Sequence, residues 1–361
     1  MPLANRIIVA SAGSGKTTQI VRDAAKIEGE RSALITYTIN NTAELRDKAH
    51  SLFGMVPPNI TVATWYSFLL HHFVRPYQTF LYEPRIGGVA MTAGRSDLYA
   101  PAKDVKRHYF MKEGCIYLDK FSKFACIVIE ESGGAPLRRI EQIFDHIFLD
   151  EVQDLAAWDL DLMEHMLKSE IAITMVGDIR QATYRTNPQA KHSKYAGPKI
   201  IDKFKDWCKT TNTKMEVQAF SHRCVQDICT FADAFYPNLP QAESHNKRFT
   251  GHDGVFAVRA SHVETYMEQY NPQPLRLRKK SAVLPGCPIN YGAAKGMAFD
   301  RVLIFPHNKL LDVLKTNDVT KLGPSDETRA KVYVGITRAR QSVGFVVPDR
   351  FKPATLPFYE P

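Results

Sequence analysis

The run Val9-Ala10-Ser11-Ala12-Gly13-Ser14-Gly15-Lys16-Thr17-Thr18 restricts the fold more than any other stretch of this chain. It follows an apolar segment, Ile7-Ile8-Val9, and leads into residues 19–26, which read as a helix. Strand, small-residue loop, Lys-Thr and helix in that order make a phosphate-binding loop. Gly13, Ser14 and Gly15 let backbone amides turn inward around phosphates, and a helix amino terminus adds partial positive charge. Lys16 supplies a point charge to the terminal phosphates, and the Thr17 hydroxyl suits magnesium. Ala12 and Thr18 complete the cradle. Ala10 stands where the pattern ordinarily opens with glycine, and the competing reading is a chance glycine-rich turn.

The rest of the chain supplies the alternation that such a loop needs. Residues 6–10, 33–37, 60–63, 146–149 and 171–176 read as buried strands, with helices at 42–53 and 155–167. That pattern predicts a parallel sheet covered on both faces. After a helix at 200–209 and a polar crossing at 210–214, strands are expected again at 215–220, 254–260, 301–305 and 342–347. The expectation is two α/β domains, 1–210 and 211–361, with an irregular insertion at about 73–141. At 361 residues there is chain enough for both cores.

Composition bears on location and partners. The fractions of 44% hydrophobic and 24% charged residues are ordinary for a globular protein, and the net charge of +9 suits a polyanionic partner only weakly. Six cysteines without metal-type spacing fit a reduced, cytoplasmic protein, and Cys224 and Cys229 read as core. No run is long enough to span a membrane, and the first apolar run is too short for a signal peptide.

A second stretch carries chemistry. Residues 144–149 form an apolar strand that ends in Asp150-Glu151, at the sheet edge where α/β ligand sites form. Asp150 can hold magnesium through water, and Glu151 can take a proton from an attacking water. The bland alternative is a solvated strand end.

These residues carry a resemblance to superfamily 1 helicases of the UvrD/Rep type, through separate motifs in the right order over nearly the whole length. The phosphate loop resembles motif I, Thr36-Tyr37-Thr38-Ile39-Asn40 motif Ia, and Thr64-Trp65-Tyr66-Ser67-Phe68 motif Ib. Asp150-Glu151-Val152-Gln153-Asp154 is similar to motif II, residues 177–185 to motif III, and Phe220-Ser221-His222-Arg223 to motif IV. Residues 294–300 resemble motif V and residues 333–340 motif VI.

The resemblance implies two RecA-like motor domains that hydrolyse ATP with Mg2+ between them. Lys16, Thr17, Asp150 and Glu151 would act from the first domain; Arg223 and Arg338 would reach the terminal phosphate from the second, and Gln181 would sense it. Gly296 of motif V would lie against the nucleotide. It further implies single-stranded DNA, or RNA, held by Thr38, Asn40, Thr64, Trp65, Tyr184 and Arg185. Trp65 and Tyr66 fit stacking platforms or core equally. The run Arg276, Arg278, Lys279, Lys280 fits a strand track or, more simply, a solvated face.

Departures from the pattern also inform. A glutamine that reads adenine has no match ahead of the loop, Thr186 replaces an aromatic, Ala298 a glutamate, and Gly292 a histidine. Arg223 and Lys295 are too close in sequence to hold the family's large second insertion. The implied activity is a 3′–5′ single-strand translocase or helicase of compact form. The alternative is an ATP-gated DNA-binding subunit regulating a partner such as a nuclease; no oligomeric state is implied.

Overall fold

In the computed structural model, residues 4–26, 29–92, 94–96, 100–112, 114–278 and 286–361 are described. The chain separates into two compact units. The first holds residues up to Val9, Lys16–Gly177 and Tyr184–Val217; the second holds Ala10–Gly15, Asp178–Thr183 and Gln218–Pro361.

The first unit runs β1 (Asn5–Ala10), α1 (Lys16–Lys26), β2 (Ser32–Thr36), α2 (Ile39–Phe53), β3 (Ile60–Thr64) and α3 (Trp65–Leu69). Between α3 and the next main strand lie β4 (Gly88–Ala90), α4 (Val105–Tyr109), β5 (Cys115–Tyr117), α5 (Phe121–Glu131) and α6 (Ala135–Ile143). The unit closes with β6 (His146–Leu149), α7 (Trp158–Leu167), β7 (Ala172–Gly177), α8 (Ile200–Thr210) and β8 (Thr213–Gln218). Its six-stranded sheet has the order β3-β2-β6-β7-β1-β8. The strands pair in parallel, as Ser32 with Ile60, Ile35 with Leu149 and Val9 with Gly177 illustrate. Every residue of β2 and β7 is buried, the mark of a sheet covered on both faces. Ile20, Val21 and Ala24 fix the buried face of α1. Gly54, at φ 77°, ends α2 in the left-handed conformation that glycine adopts without a Cβ penalty.

The second unit contains β9 (Phe220–Ser221), α9 (Gln226–Asp233), β10 (Glu243–Ser244), β11 (Gly254–Arg259), α10 (Val263–Tyr270), β12 (Gln273–Arg276) and β13 (Ile289–Asn290). It continues through β14 (Phe299–Phe305), α11 (Asn308–Thr316), α12 (Asp326–Ile336) and β15 (Ala339–Val347). The order β11-β15-β14-β12-β13 is again parallel. Its core gathers Val302, Ile304, Val343 and Phe345 from the central strands with Ile228, Leu310 and Ile336 from the helices. The edge strand β11 is covered by the chain's own tail: Ala257 N–H donates to Pro357 O and Tyr359 N–H to Ala257 O, both at 2.8 Å.

The fold is thus α/β with two parallel sheets of RecA-like form, as the alternation and the motifs imply. Two details differ from the sequence reading. The strand expected at 215–220 to open the second sheet is β8, the sixth strand of the first. Hydrogen bonds Asn5 N–H to Asn212 O and Ser11 N–H to Gln218 O, at 2.9 and 3.0 Å, stitch it beside β1. The basic run at 276–280 begins inside β12, where Arg276 Nε donates to Asn290 Oδ1 at 3.2 Å. Lys279 and Lys280 lie outside the described residues. Among the described residues, no helix is long and apolar enough to cross a membrane.

Candidate functional site

In the first unit the chemistry gathers at the carboxyl edge of the sheet. Lys16 opens α1, so Lys16, Thr17 and Thr18 form the helix's first turn. Thr17 Oγ1 donates to Asp150 Oδ2 at 2.8 Å. Asp150 follows β6 directly and is held by its own N–H, which donates to Ile35 O at 2.8 Å. Burial pushes the Asp150 carboxyl above the usual range, and the Glu151 charge adds to the rise; Lys16 and the Thr17 hydroxyl oppose it. A buried carboxylate and a hydroxyl are hard oxygen donors, and the crowded negative charge is one that a cation relieves. Thr17 and Asp150 therefore fit magnesium.

Glu151 sits at φ 60°, a left-handed position that costs a non-glycine residue roughly 1–2 kcal/mol. Two contacts hold it there. Its N–H donates to Asp150 Oδ1 at 2.8 Å, and Gln153 Nε2 donates to its carboxylate. Gln153 in turn packs on Gly177, at the end of β7, where a Cβ would lie 2.2 Å from Gln153 Oε1. Motif II is thus seated against the bare backbone that opens motif III.

The second unit holds the first half of the phosphate loop together with its arginines. Gly13 and Gly15 take φ of 76° and 85°. A Cβ on Gly13 would lie 2.5 Å from Arg223 Cβ and 2.7 Å from Ser221 Oγ, while one on Gly15 would come no closer than 3.9 Å to His222. His222 N–H donates to Gly13 O at 2.9 Å. Ala12 belongs to the buried core, and Ser14 is buried with its hydroxyl unpartnered among the described residues. Both glycines carry left-handed strain when replaced, but only Gly13 is also overpacked. Gly15→Ala is expected to cost roughly 1–2 kcal/mol, and Gly13→Ala a further 1–3 kcal/mol. Chemical denaturation of the two variants side by side checks this ordering.

Arg338 precedes β15 and is 2% exposed. Its Nε donates to Val334 O at 3.0 Å, Nη1 to Met297 O at 3.2 Å, and Nη2 to Gln181 Oε1 at 3.1 Å. Gln181 Nε2 then donates to Asp178 Oδ2 at 2.8 Å. The result is a buried relay, Asp178–Gln181–Arg338, that joins motifs III and VI within one unit. Arg223 Nη1 donates to Thr337 O at 3.2 Å, beside Arg338. Gly296, at φ 86°, lies in the exposed turn before β14. One residue escaped the sequence reading: Arg180, 3% exposed, which reaches Ser11 Oγ of the loop at 3.4 Å, Asp233 at 3.4 Å and Asp178 at 3.8 Å. An arginine inside Gly-Asp-Ile-Arg-Gln was the available signal.

The residues expected to meet a strand divide sharply. Thr36 pairs with Thr64 across β2 and β3, which brings the starts of α2 and α3 together. Thr38 Oγ1 caps α2 by accepting from Asn41 N–H at 3.1 Å, and Thr64 Oγ1 caps α3 from Ser67 N–H at 3.2 Å. Thr38, Asn40 and Arg185 are exposed, and Tyr184 is 48% exposed. Trp65 is a correction. It is 0% exposed, and its indole N–H donates to Asp159 Oδ1 at 3.0 Å, so it has no ring face for a base. Asp159 also accepts from the hydroxyls of Ser122 and Thr186, while Thr186 Oγ1 accepts from Ala156 N–H at 3.1 Å. Thr186 is buried and braces the same α7 carboxylate that takes the Trp65 indole N–H. Tyr66 is half-buried and donates to Thr186 O.

The parallel sheet, phosphate loop and carboxylates at its edge define the phosphate-loop nucleoside triphosphatase class. The chain belongs to the AAA domain family, which matches residues 2–187. No curated protein matches it. Among solved structures, two of an arterivirus nonstructural protein 10, titled a helicase, are similar at 14% identity. One has a TM-score of 0.48 and the other, a complex with DNA, 0.49. The likeness covers 96% of this chain but 60% and 61% of theirs, so the chain spans about three fifths of their length.

Proposed function

We propose that the chain is an ATP-driven motor that moves along single-stranded DNA, 3′ to 5′. The relay Asp178–Gln181–Arg338 carries this reading most directly, because a row of hydrogen bonds joins a polar sensor to a buried arginine. Magnesium, held by Thr17 and Asp150, would screen phosphate charge. The backbone amides of residues 12–15 and the Lys16 ammonium would grip the phosphates, and Glu151 would take the proton of the attacking water. Arg338 and Arg223 would offer planar forks to the transferring phosphoryl group, and Gln181 would report its presence along the relay. Loss of that group on hydrolysis removes charge that these cations hold, and so couples turnover to a change of conformation.

Strand contact is proposed for Thr38, Asn40, Thr64, Tyr184 and Arg185. The two threonines cap their helices through an oxygen lone pair, so each hydroxyl proton would be left to donate to a strand phosphate. Tyr184 offers its ring to a base, and Tyr184→Ala is expected to cost roughly 1–3 kcal/mol of strand affinity with little sequence preference. Trp65→Phe should instead lower thermal stability. Fluorescence anisotropy on a labelled oligonucleotide, beside a melting curve, separates the two. ATPase measured with and without single-stranded DNA, and with RNA, tests the function itself. Absence of stimulation by either polymer sinks the motor and leaves an ATP-gated switch.

A further inference from the structure

An open cleft of about 660 Å³ lies in the second unit, lined by Tyr270 at the end of α10, Gln273 of β12, Cys287, Asp300 and Arg301 of β14, and Arg340 of β15. Nothing in the proposed turnover uses it. Arg301, Arg340 and Asp300 line it, and Arg248 reaches Asp300 from the neighbouring loop. Asp300 is shared, 3.2 Å from Arg340 Nη1 and 3.5 Å from Arg248 Nη1. Asp253 takes the Thr250 hydroxyl at 2.7 Å, and that hydroxyl accepts from Arg301 Nη2 at 2.8 Å.

Arg301 is the group that sets the chemistry. Its guanidinium lies 5.4 Å from the centroid of the Tyr270 ring, and the His252 ring stacks on Tyr270 at 3.9 Å. The fork is therefore locked in place before any ligand arrives. It is nevertheless poorly satisfied: Nη2 alone finds an acceptor among the described residues, and Nε is enclosed without one. A rigid, under-compensated guanidinium at the wall of a cleft calls for an oxyanion, and phosphate suits the charge and the donors that remain. The cleft volume leaves room for the sugar and base attached to it. The loop whose Arg248 and Thr250 contact Asp300 and Arg301 also holds Phe249, 83% exposed, so a stacking ring stands on the segment next to the cleft wall.

We infer that this cleft binds a nucleoside phosphate unit of a single strand, with Arg301 on the phosphate and Arg248 and Arg340 supplying positive charge around it. The inference rests on the reading that the chain engages nucleic acid. A free nucleotide carries the same chemistry, and the experiment distinguishes the two sources. A fluorescein-labelled oligo-dT is titrated with the full chain and with Arg301→Gln over a series of salt concentrations, and basal ATPase is measured without DNA. The expected result is about tenfold weaker binding and a salt slope reduced by about 0.7, one phosphate contact on a single strand. Basal turnover stays at the wild-type rate. Arg248 is 62% exposed, so Arg248→Gln keeps the fold and provides a second variant, expected to weaken binding about threefold. Wild-type affinity and slope in both variants overturn the assignment while leaving the motor intact. Lost basal turnover with unchanged strand affinity also overturns it, in favour of free nucleotide. A wild-type chain that binds no strand at all removes the reading beneath it.

Discussion

Replacing Arg338 by lysine should cut ATP turnover on the order of a thousandfold, the scale on which arginines that stabilise phosphoryl transfer act. Lysine rather than alanine is the informative change. Arg338 is buried and donates to two backbone carbonyls, Val334 O and Met297 O, as well as to Gln181. Alanine would leave those acceptors unpaired in a cavity, at a cost of several kcal/mol, and an inactive protein would then say only that it had unfolded. Lysine keeps the charge and most of the volume and forfeits about one or two hydrogen bonds of roughly 1 kcal/mol each. It loses the planar fork, so it cannot serve Gln181 and a phosphate oxygen together. Folding is checked by thermal unfolding and nucleotide affinity by a fluorescent ATP analogue, and both should remain close to wild type. Turnover within a few-fold of wild type would show that Arg338 is a structural strut.

Much of this was legible in the chain because the chemistry is local. A phosphate loop needs its glycines in sequence, and Asp150-Glu151 needs only the strand before it, so both read directly. Parallel strands buried on both faces are apolar throughout, which made β2, β6 and β7 plain to see. What failed was long-range. The residues of β8 are polar and half-exposed, and only pairing with β1, some 200 residues away, makes them a strand of the first sheet. Trp65 reads equally as a stacking platform or as core because nothing in its neighbourhood reveals Asp159, whose carboxylate claims the indole N–H from 94 residues downstream. Thr186 looked like a lost aromatic for the same reason. Its hydroxyl has been recruited to brace that buried carboxylate.

Glu151→Gln should retain nucleotide binding and lose turnover by a factor of roughly 10² to 10⁴, the contribution of a positioned general base. The local structure supports the separation of the two effects. Glutamine preserves the length of the side chain, and its carbonyl oxygen can still accept from Gln153 Nε2, so the left-handed turn at φ 60° keeps both of its braces. Its backbone N–H still donates to Asp150. The substitution also removes one of the two influences that raise the Asp150 carboxyl, burial being the other. With the neighbouring negative charge gone, that carboxyl falls toward its ordinary range and stays ionised to lower pH, which strengthens its hold on a cation. Nucleotide binding in the presence of magnesium should therefore match or exceed wild type, while the amide cannot accept the proton of an attacking water. Equilibrium binding of a fluorescent ATP analogue and steady-state phosphate release, measured on one preparation, check both halves. Turnover that persists at the wild-type rate in the folded variant would exclude Glu151 as the base, and weakened binding would mean that its charge, rather than its basicity, is what the site requires.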